Sequence, residues 1–414
     1  MRIRATRILV RRLLAVTAGA VALLLASTHT EAHKPITSPY TYNDDVFPIV
    51  RDRCGRCHRS GGVAPMSLMT YKEAFPWGES IRTELVAGHM PPWSVETAAG
   101  RFKNAQPLGA RELNVLLTWA TGGNPVGDPE RALPSIAPPP TWRLGEPDLV
   151  LPMSAEFTIG ADDMERREEF ILPLPPTAMT LVQAVDLAPG NPAIVRSASV
   201  SVRVPSDTGD RGSATAVAAS GTSGRLLPER VLAMWVPGDE PVPLDGGTAF
   251  ALPRGSNLVL RVQYKKTWEY ERKTLSDRTS VGLYFAKGAA KEVHALTLAP
   301  EGAAASAQPL SFTRTVDEDL QALAIYPDQS LANVNIEVTA QQPNGAREQL
   351  IRFRPQPDWA RRYWFSTPVA LPRGTRISVA ATMDEALLPP GAAPLLPKRP
   401  DASALRLTLN VVKP

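Results

Sequence analysis

Cysteine is nearly absent: the 414-residue chain has two, Cys54 and Cys57, and only five histidines. A structural zinc site built on this pair would lack its second pair of cysteine ligands. After the first thirty or so residues no run is long and apolar enough to span a bilayer, so no membrane span is expected in the mature chain. Charge of one sign is also missing. The formal net charge is +4, and residues 1–32 carry five arginines against Glu31, so the remainder is formally neutral. No nucleic-acid partner or anionic membrane surface is therefore expected. GxSxG, P-loop and dinucleotide fingerprints do not occur, which leaves hydrolase and kinase chemistry unsupported.

What is present begins with the two cysteines themselves. They sit in "CGRCH", with His58 directly behind. A redox dithiol shares the C-x-x-C spacing but needs no trailing histidine and belongs beside a βαβ pattern, which is not found here. Covalent c-type haem needs every part of the motif: two thiols one helical turn apart for the vinyl groups, and the next residue for the iron. One haem c per chain is expected, held by Cys54 and Cys57 and ligated by His58.

Such a haem needs an export route. "MRIRATRILVRR" is a positive n-region, and "LLAVTAGAVALLLAS" is an apolar stretch of 15 residues followed by small residues around Ala32. As a helix it rises about 22 Å, short of a ~30 Å hydrocarbon core, so a cleaved leader over residues 1–32 and a periplasmic or secreted protein are expected.

Residues 33–122 are predicted helical. A first helix capped by Asp44 or Asp45 carries Cys54 and Cys57, a second starts at Thr70, and a third, "GARELNVLLTWATGG", ends on Gly122 and Gly123. This order resembles the class I cytochrome c fold, over residues 40–125. The iron ligand opposite His58 must come from Met66, Met69, His89 or Met90. Met90, in "GHMPPW" between the second and third helices, is the expected one, with Pro91 and Pro92 stiffening its loop. His89 is the runner-up, and Met66 and Met69 read as core.

Forty-one prolines shape the rest. The segment 123–141 is the densest break and reads as a linker. Beyond it, alternating runs such as "TLVQAVDL", "NLVLRVQY" and "VNIEVTAQ" are strand-like, and Asn344-Gly345 marks a hairpin. "ALPRG" occurs twice, at Ala251 and Ala370, each time ahead of a strand. The expected fold class is multidomain: a small all-α cytochrome c domain followed by two all-β jelly-roll-like sandwich domains, 142–290 and 291–414.

The stretches "HKPITSPYTYNDDVFPIVRDRCGRCH", "GGVAPMSLMTY" and "MPPW", with "WRLGEPDLVLPM" and the repeated turn, resemble bacterial secreted proteins that fuse a cytochrome c to a copper type II, ascorbate-dependent monooxygenase-like module. That resemblance implies two copper sites and O₂-dependent hydroxylation. The positions that would hold imidazoles are here Arg196, Ser197, Gln263, Asp328 and Ser330, and beyond the leader only His33, His58, His89 and His294 remain. Copper is therefore not expected. His294 reads as a strand histidine. An N-terminal His33 could chelate copper with its amine, but has no second histidine assured nearby. "SDTGDRGSATAVAASGTSG" reads as a polar loop. The expected function is electron transfer through a His/Met haem, with a redox partner protein and a β module that binds a partner or small ligand. The alternative is a redox enzyme whose haem feeds a site in the β part. Nothing in the sequence bears on oligomeric state.

Overall fold

The computed structural model describes residues 37–93, 95–96, 102–103, 105, 107–134, 139–175, 179–204, 230–245, 247–300, 311–328, 334–383 and 405–414. The leader, His33, the polar loop within 205–229 and Ser330 lie outside the described residues.

The helical part is built from short pieces. Two π turns, Tyr42–Val46 and Val50–Cys54, flank one α turn, Phe47–Ile49. Pro48 has no N–H to give to an i−4 carbonyl, and the bonds around it skip to i−5, as in Val46 N to Thr41 O and Gly55 N to Val50 O. The start falls earlier than predicted because the Asp45 carboxylate reaches back to the Thr41 N–H at 2.8 Å. The second helix begins at the expected Thr70 cap. It is then interrupted by Pro76, giving Tyr71–Ala74, a 3₁₀ turn Phe75–Trp77, and Gly78–Val86. The third, Ala110–Thr121, has Glu112 accepting from the Gly109 N–H at its start and Gly122 at its end. Its buried face is Val115, Leu116, Trp119 and Ala120, with Leu113 and Leu117 at the edge.

The remainder is strand. One sheet orders Leu149–Pro152, Ser280–Phe285, Thr180–Ala188, Thr248–Leu252 and Lys291–Glu292. A second orders Glu165–Pro173, Asn257–Lys265, Val195–Arg203 and Arg230–Trp235. The third holds His294–Leu298, Leu407–Val412, Leu320–Pro327 and Tyr363–Leu371. The fourth holds Ser311–Thr315, Arg376–Met383, Val334–Gln341 and Arg347–Phe353. Both "ALPRG" turns hand the chain from one sheet to the next, with Gly255 at φ +77° and Gly374 at φ +88°. A side chain at either φ would be strained, which is why glycine recurs there. The Asn344-Gly345 hairpin joins Val334–Gln341 to Arg347–Phe353 as predicted.

The expected fold class is overturned. The described residues are predominantly β, 41% strand against 15% helix, with their four larger sheets in a propeller-like arrangement of four blades, and they do not form a small all-α domain followed by two jelly-roll sandwiches. Two physical reasons account for the error. Pro48 and Pro76 cut the first helix and the start of the second into short turns. Alternation with period two fixes which face of a strand is buried, but not how sheets are arranged around one another.

The helical part is also tied into the β structure. Val95 and Phe102 run onto the third and fourth sheets, which make up the second β half as the first two sheets make up the first, Val95 bridging to Phe353 and Phe102 to Phe365. Val95 and Phe102 are buried in the same core as Leu350, Ile351 and Leu409. The proline-rich stretch lies back along the first helical turns, its Pro125 and Val126 carbonyls accepting from the Tyr42 and Asn43 N–H groups. The β halves share buried surface as well, since Ala324, Trp364 and Val412 belong to the core of the first half.

Candidate functional site

The "CGRCH" residues form one tight turn at the end of the first helical segment. The Cys57 and His58 N–H groups both donate to the Cys54 carbonyl, at 3.0 and 2.8 Å. The turn is backed by the following loop, where a Cβ on Gly62 would meet the Cys57 carbonyl at 2.2 Å, so only glycine fits. Both cysteines are free and half-buried. Burial pushes the Cys54 thiol up to about 12 and the Cys57 thiol up to about 11, so both are protonated at neutral pH. A reactive dithiol needs the opposite shift.

His58 is oriented from its own side. Its Nδ1 lies 3.2 Å from the Met66 carbonyl. Burial lowers its pKa, and a neutral ring donating from Nδ1 leaves Nε2 as the free lone pair. A metal-ligating histidine is held in this way. The residues of the turn therefore fit a covalently attached haem: two protonated thiols and an imidazole whose ligating nitrogen is fixed by a carbonyl.

Cys54, Cys57 and His58 stand together in one turn, while Met90 belongs to the loop that follows the helix Gly78–Val86. Met90 is half-buried at the point where the chain leaves the helices, its N–H 3.3 Å from the Glu84 carbonyl. No hydrogen bond among the described residues joins it to the turn Cys54–His58. The neighbouring His89 is exposed, with Nδ1 3.0 Å from Glu84 Oε2. Met66 and Met69 pack against the helical core as expected.

Sequence reasoning missed what the turn touches. Arg56 donates to the Gly238 carbonyl at 2.7 Å and pairs with Glu240 at 2.9 Å, while the Cys57 Sγ lies 3.6 Å from the Pro237 carbonyl. Gly238 has φ +85°, and a Cβ there would stand 3.2 Å from the Arg56 side chain. The turn Pro237–Glu240 of the first β half thus covers the Cys57 edge. "PGDE" signals a turn in the sequence, but nothing there links it to a motif 180 residues away.

Around this contact sit two cation–ring pairs, each with one member from residues 359–361. Arg361 is buried, bonded to Asp239 at 3.0 Å, and lies over the Trp93 ring at 5.5 Å. Arg196 lies over the Trp359 ring at 5.4 Å. Trp93 and Trp359 thereby flank the region between the turn and the β halves.

Of the positions where the resemblance would put imidazoles, Ser197 and Gln263 are neighbours on paired strands, joined at 3.1 Å. Gln263 also donates to Glu165 and Asp358, both at 2.9 Å, and Lys265 pairs with Asp358. Ser197, Gln263 and Asp328 line one open cleft of about 560 Å3, with Arg167, Arg261 and Met234. Asp328 accepts from Thr408 and pairs with Arg406. Among the described residues no group of three or more His, Cys, Asp or Glu side chains is arranged to hold a metal ion. His294 is an exposed strand residue, paired with Val411. No helix among the described residues is long and apolar enough to cross a membrane.

No family model matches the chain, and no curated protein matches it. Among solved structures it is similar to a Paenibacillus xanthan lyase at 12% identity, with 70% of this chain and 28% of the lyase covered and a TM-score of 0.15. The chain spans little more than a quarter of that protein's length, and a likeness so slight carries no argument about fold or activity.

Proposed function

We propose that the chain is an exported electron-transfer protein, with one haem c attached through Cys54 and Cys57 and ligated by His58. The observation that supports this reading best is the His58 ring, whose Nδ1 faces the Met66 carbonyl and whose Nε2 is left to ligate. When bound, the haem supplies one-electron chemistry at a single iron. The residues of this chain do the rest. His58 is held neutral and oriented, and the Pro237–Glu240 turn shields the Cys57 edge from water.

In this reading Met90 would be the second residue to hold the iron. The Met66 carbonyl holds His58 from the near side, and the Met69 thioether lies against Gly55, with Sδ 3.1 Å from where a Cβ would stand. Both methionines are partly buried against the helical core. The β part carries no copper and serves to bind a redox partner or a small ligand. The cleft lined by Ser197, Gln263 and Asp328 favours a second reading, in which a ligand bound there exchanges electrons with the haem.

The test is mass spectrometry and an optical spectrum of the chain made with haem-attachment machinery. One haem per chain that survives denaturation is expected, together with a weak sulfur-to-iron band that Met90→Ala abolishes and Met66→Ala does not. Free thiols would refute the reading, and a bis-imidazole spectrum in the wild type would transfer the ligand role to His89.

A further inference from the structure

One end of the first β half holds a cavity of about 220 Å3. Leu149 pairs with Leu283, and Phe285 lies two residues further along that strand, so the three side chains share one face of the first sheet. Leu252 joins them from the strand Thr248–Leu252, and Leu174 from the segment that follows Glu165–Pro173 of the second sheet. Leu252 and Leu283 belong to the core of this half, and the other three pack against it, so the walls are continuous with that core. The cavity shares no residue with the turn Cys54–His58 or with the cleft of Ser197, Gln263 and Asp328.

Its lining carries one acid and one base, both exposed and not paired with each other. Asp148 already uses a carboxylate oxygen to accept the Phe285 N–H at 2.7 Å. Arg254, in the turn after Leu252, makes no hydrogen bond or ion pair among the described residues. Two further strands separate the strands beside these residues, so three strand spacings, about 14 Å, lie between them across the sheet. A ligand that fits the cavity therefore meets one of the two charges with its head group. Arg254 has its donors to give, and its planar fork matches a carboxylate. The body of such a ligand follows from the size. An apolar cavity of about 150 Å3 takes benzene, so this one takes an aromatic ring with a short chain. Phe285 offers that ring the edge or offset contact that an aliphatic chain cannot use.

We propose that this cavity binds a small aromatic carboxylate, with its ring against Leu174, Leu283 and Phe285 and its carboxylate on the Arg254 guanidinium. The apolar walls supply the binding energy of the ring, and the arginine selects the charge of the head group. The site does not rest on the haem reading, since the two share no residue.

Calorimetric titration of the full chain tests this with three probes of one shape: phenylacetate, the neutral phenylacetamide and the cationic phenethylamine. Phenylacetate should bind at a single site, about tenfold more tightly than either of the others, as a charge-assisted fork implies. Arg254→Gln should remove that preference, and Arg254→Lys, with charge but no fork, should keep part of it. Arg373→Gln, at the matching place in the second "ALPRG" turn, should leave it unchanged. Leu174→Phe narrows the cavity and should abolish binding while the melting temperature holds. Should that variant fail to fold, cross-saturation from the phenylacetate ring to the methyl groups of Leu174, Leu252 and Leu283 in the wild-type chain locates the ligand instead, and no transfer to them counts against the site. Preference for phenethylamine would move the head group to Asp148 and overturn the proposal. Phenylacetate binding that survives Arg254→Gln undiminished, or no saturable binding of phenylacetate at all, overturns it as well.

Discussion

Replacing Arg362 with methionine should cost the protein about 2–6 kcal/mol, the penalty for leaving two carbonyls without their donors. The reason lies in a bulge. In the pairing of Val195–Arg203 with Arg230–Trp235 the register slips between Val200 and Ser201, so that Ala233 and Val231 are matched and Leu232 is not. A bulged residue loses its ladder partner, and this strand is the edge of its sheet. Arg362, 7% exposed, crosses from the second half and donates to the Val231 and Leu232 carbonyls, both at 2.7 Å. Its guanidinium carbon also lies 5.4, 4.9 and 5.2 Å from the rings of Phe250, Tyr326 and Trp364.

Two bonds from a charged donor contribute about 1.5–3 kcal/mol each, and desolvated cation–π contacts about 2 kcal/mol. Burying the guanidinium costs several kcal/mol in return, so the wild-type contribution is modest. The variant fares worse because two carbonyls remain buried without donors, at about 1–3 kcal/mol each. Urea unfolding followed by tryptophan fluorescence measures this, since Trp364 reports on the join. The halves should separate into two transitions, the variant's first midpoint falling well below the wild type's. Arg362→Lys should fall between, having charge but no fork. If Arg362→Met unfolds within about 0.5 kcal/mol of wild type, apolar contact holds the halves and the bulge argument is wrong.

Phe102→Ala should destabilise the chain by about 3–5 kcal/mol, the usual cost of truncating a buried phenylalanine, because its ring packs 5.5 Å from Phe365 and 5.8 Å from Tyr363. Hydrogen exchange should then show the segment after Met90 released while the helices stay protected; uniform loss of protection would argue against a strap. Asp358 answers to acid. Burial alone would raise its pKa, but Lys265, Gln263 and Arg196 outweigh that and hold it below the usual carboxylate value of 3.8. Its contribution is therefore complete above that value and is lost as pH falls through the lower folded pKa. Asp358→Asn should be less stable than wild type at pH 7 and should lose less between pH 5 and 2; parallel curves for the two proteins would refute the assignment.

Strands were legible where alternation was strong. "TLVQAVDL", "NLVLRVQY", "VNIEVTAQ" and "RISVAATM" all pair within a residue or so of their expected bounds, because one face must be buried and a one-residue slip would expose it. Glu165–Pro173 was hidden by its own composition. "ERREEF" is an edge strand whose charges meet solvent and one another, so no apolar face announces it. The helices were legible at their caps, Thr70 and Gly122, and illegible in their lengths, since the effect of Pro48 and Pro76 depends on which turn the proline enters.

The candidate site divides in the same way. The turn Cys54–His58 is local, and its thiol spacing and its histidine lie within five residues, so sequence alone assembles it. Its surroundings are not local. Pro237, Arg196 and Arg361 reach Cys57 only through strand pairings that span most of the chain, and no periodicity encodes that convergence. Arg196 shows what is lost by reading along the chain. In sequence it stands out only as a residue that cannot be a copper ligand. In space its guanidinium lies over the Trp359 ring, and the fixed positive charge that disqualifies it for a metal serves an anion instead, helping to hold the Asp358 carboxylate below its usual pKa. A position judged against one ligand chemistry thus carries information about the opposite one, and the information becomes usable only when the fold supplies the neighbour.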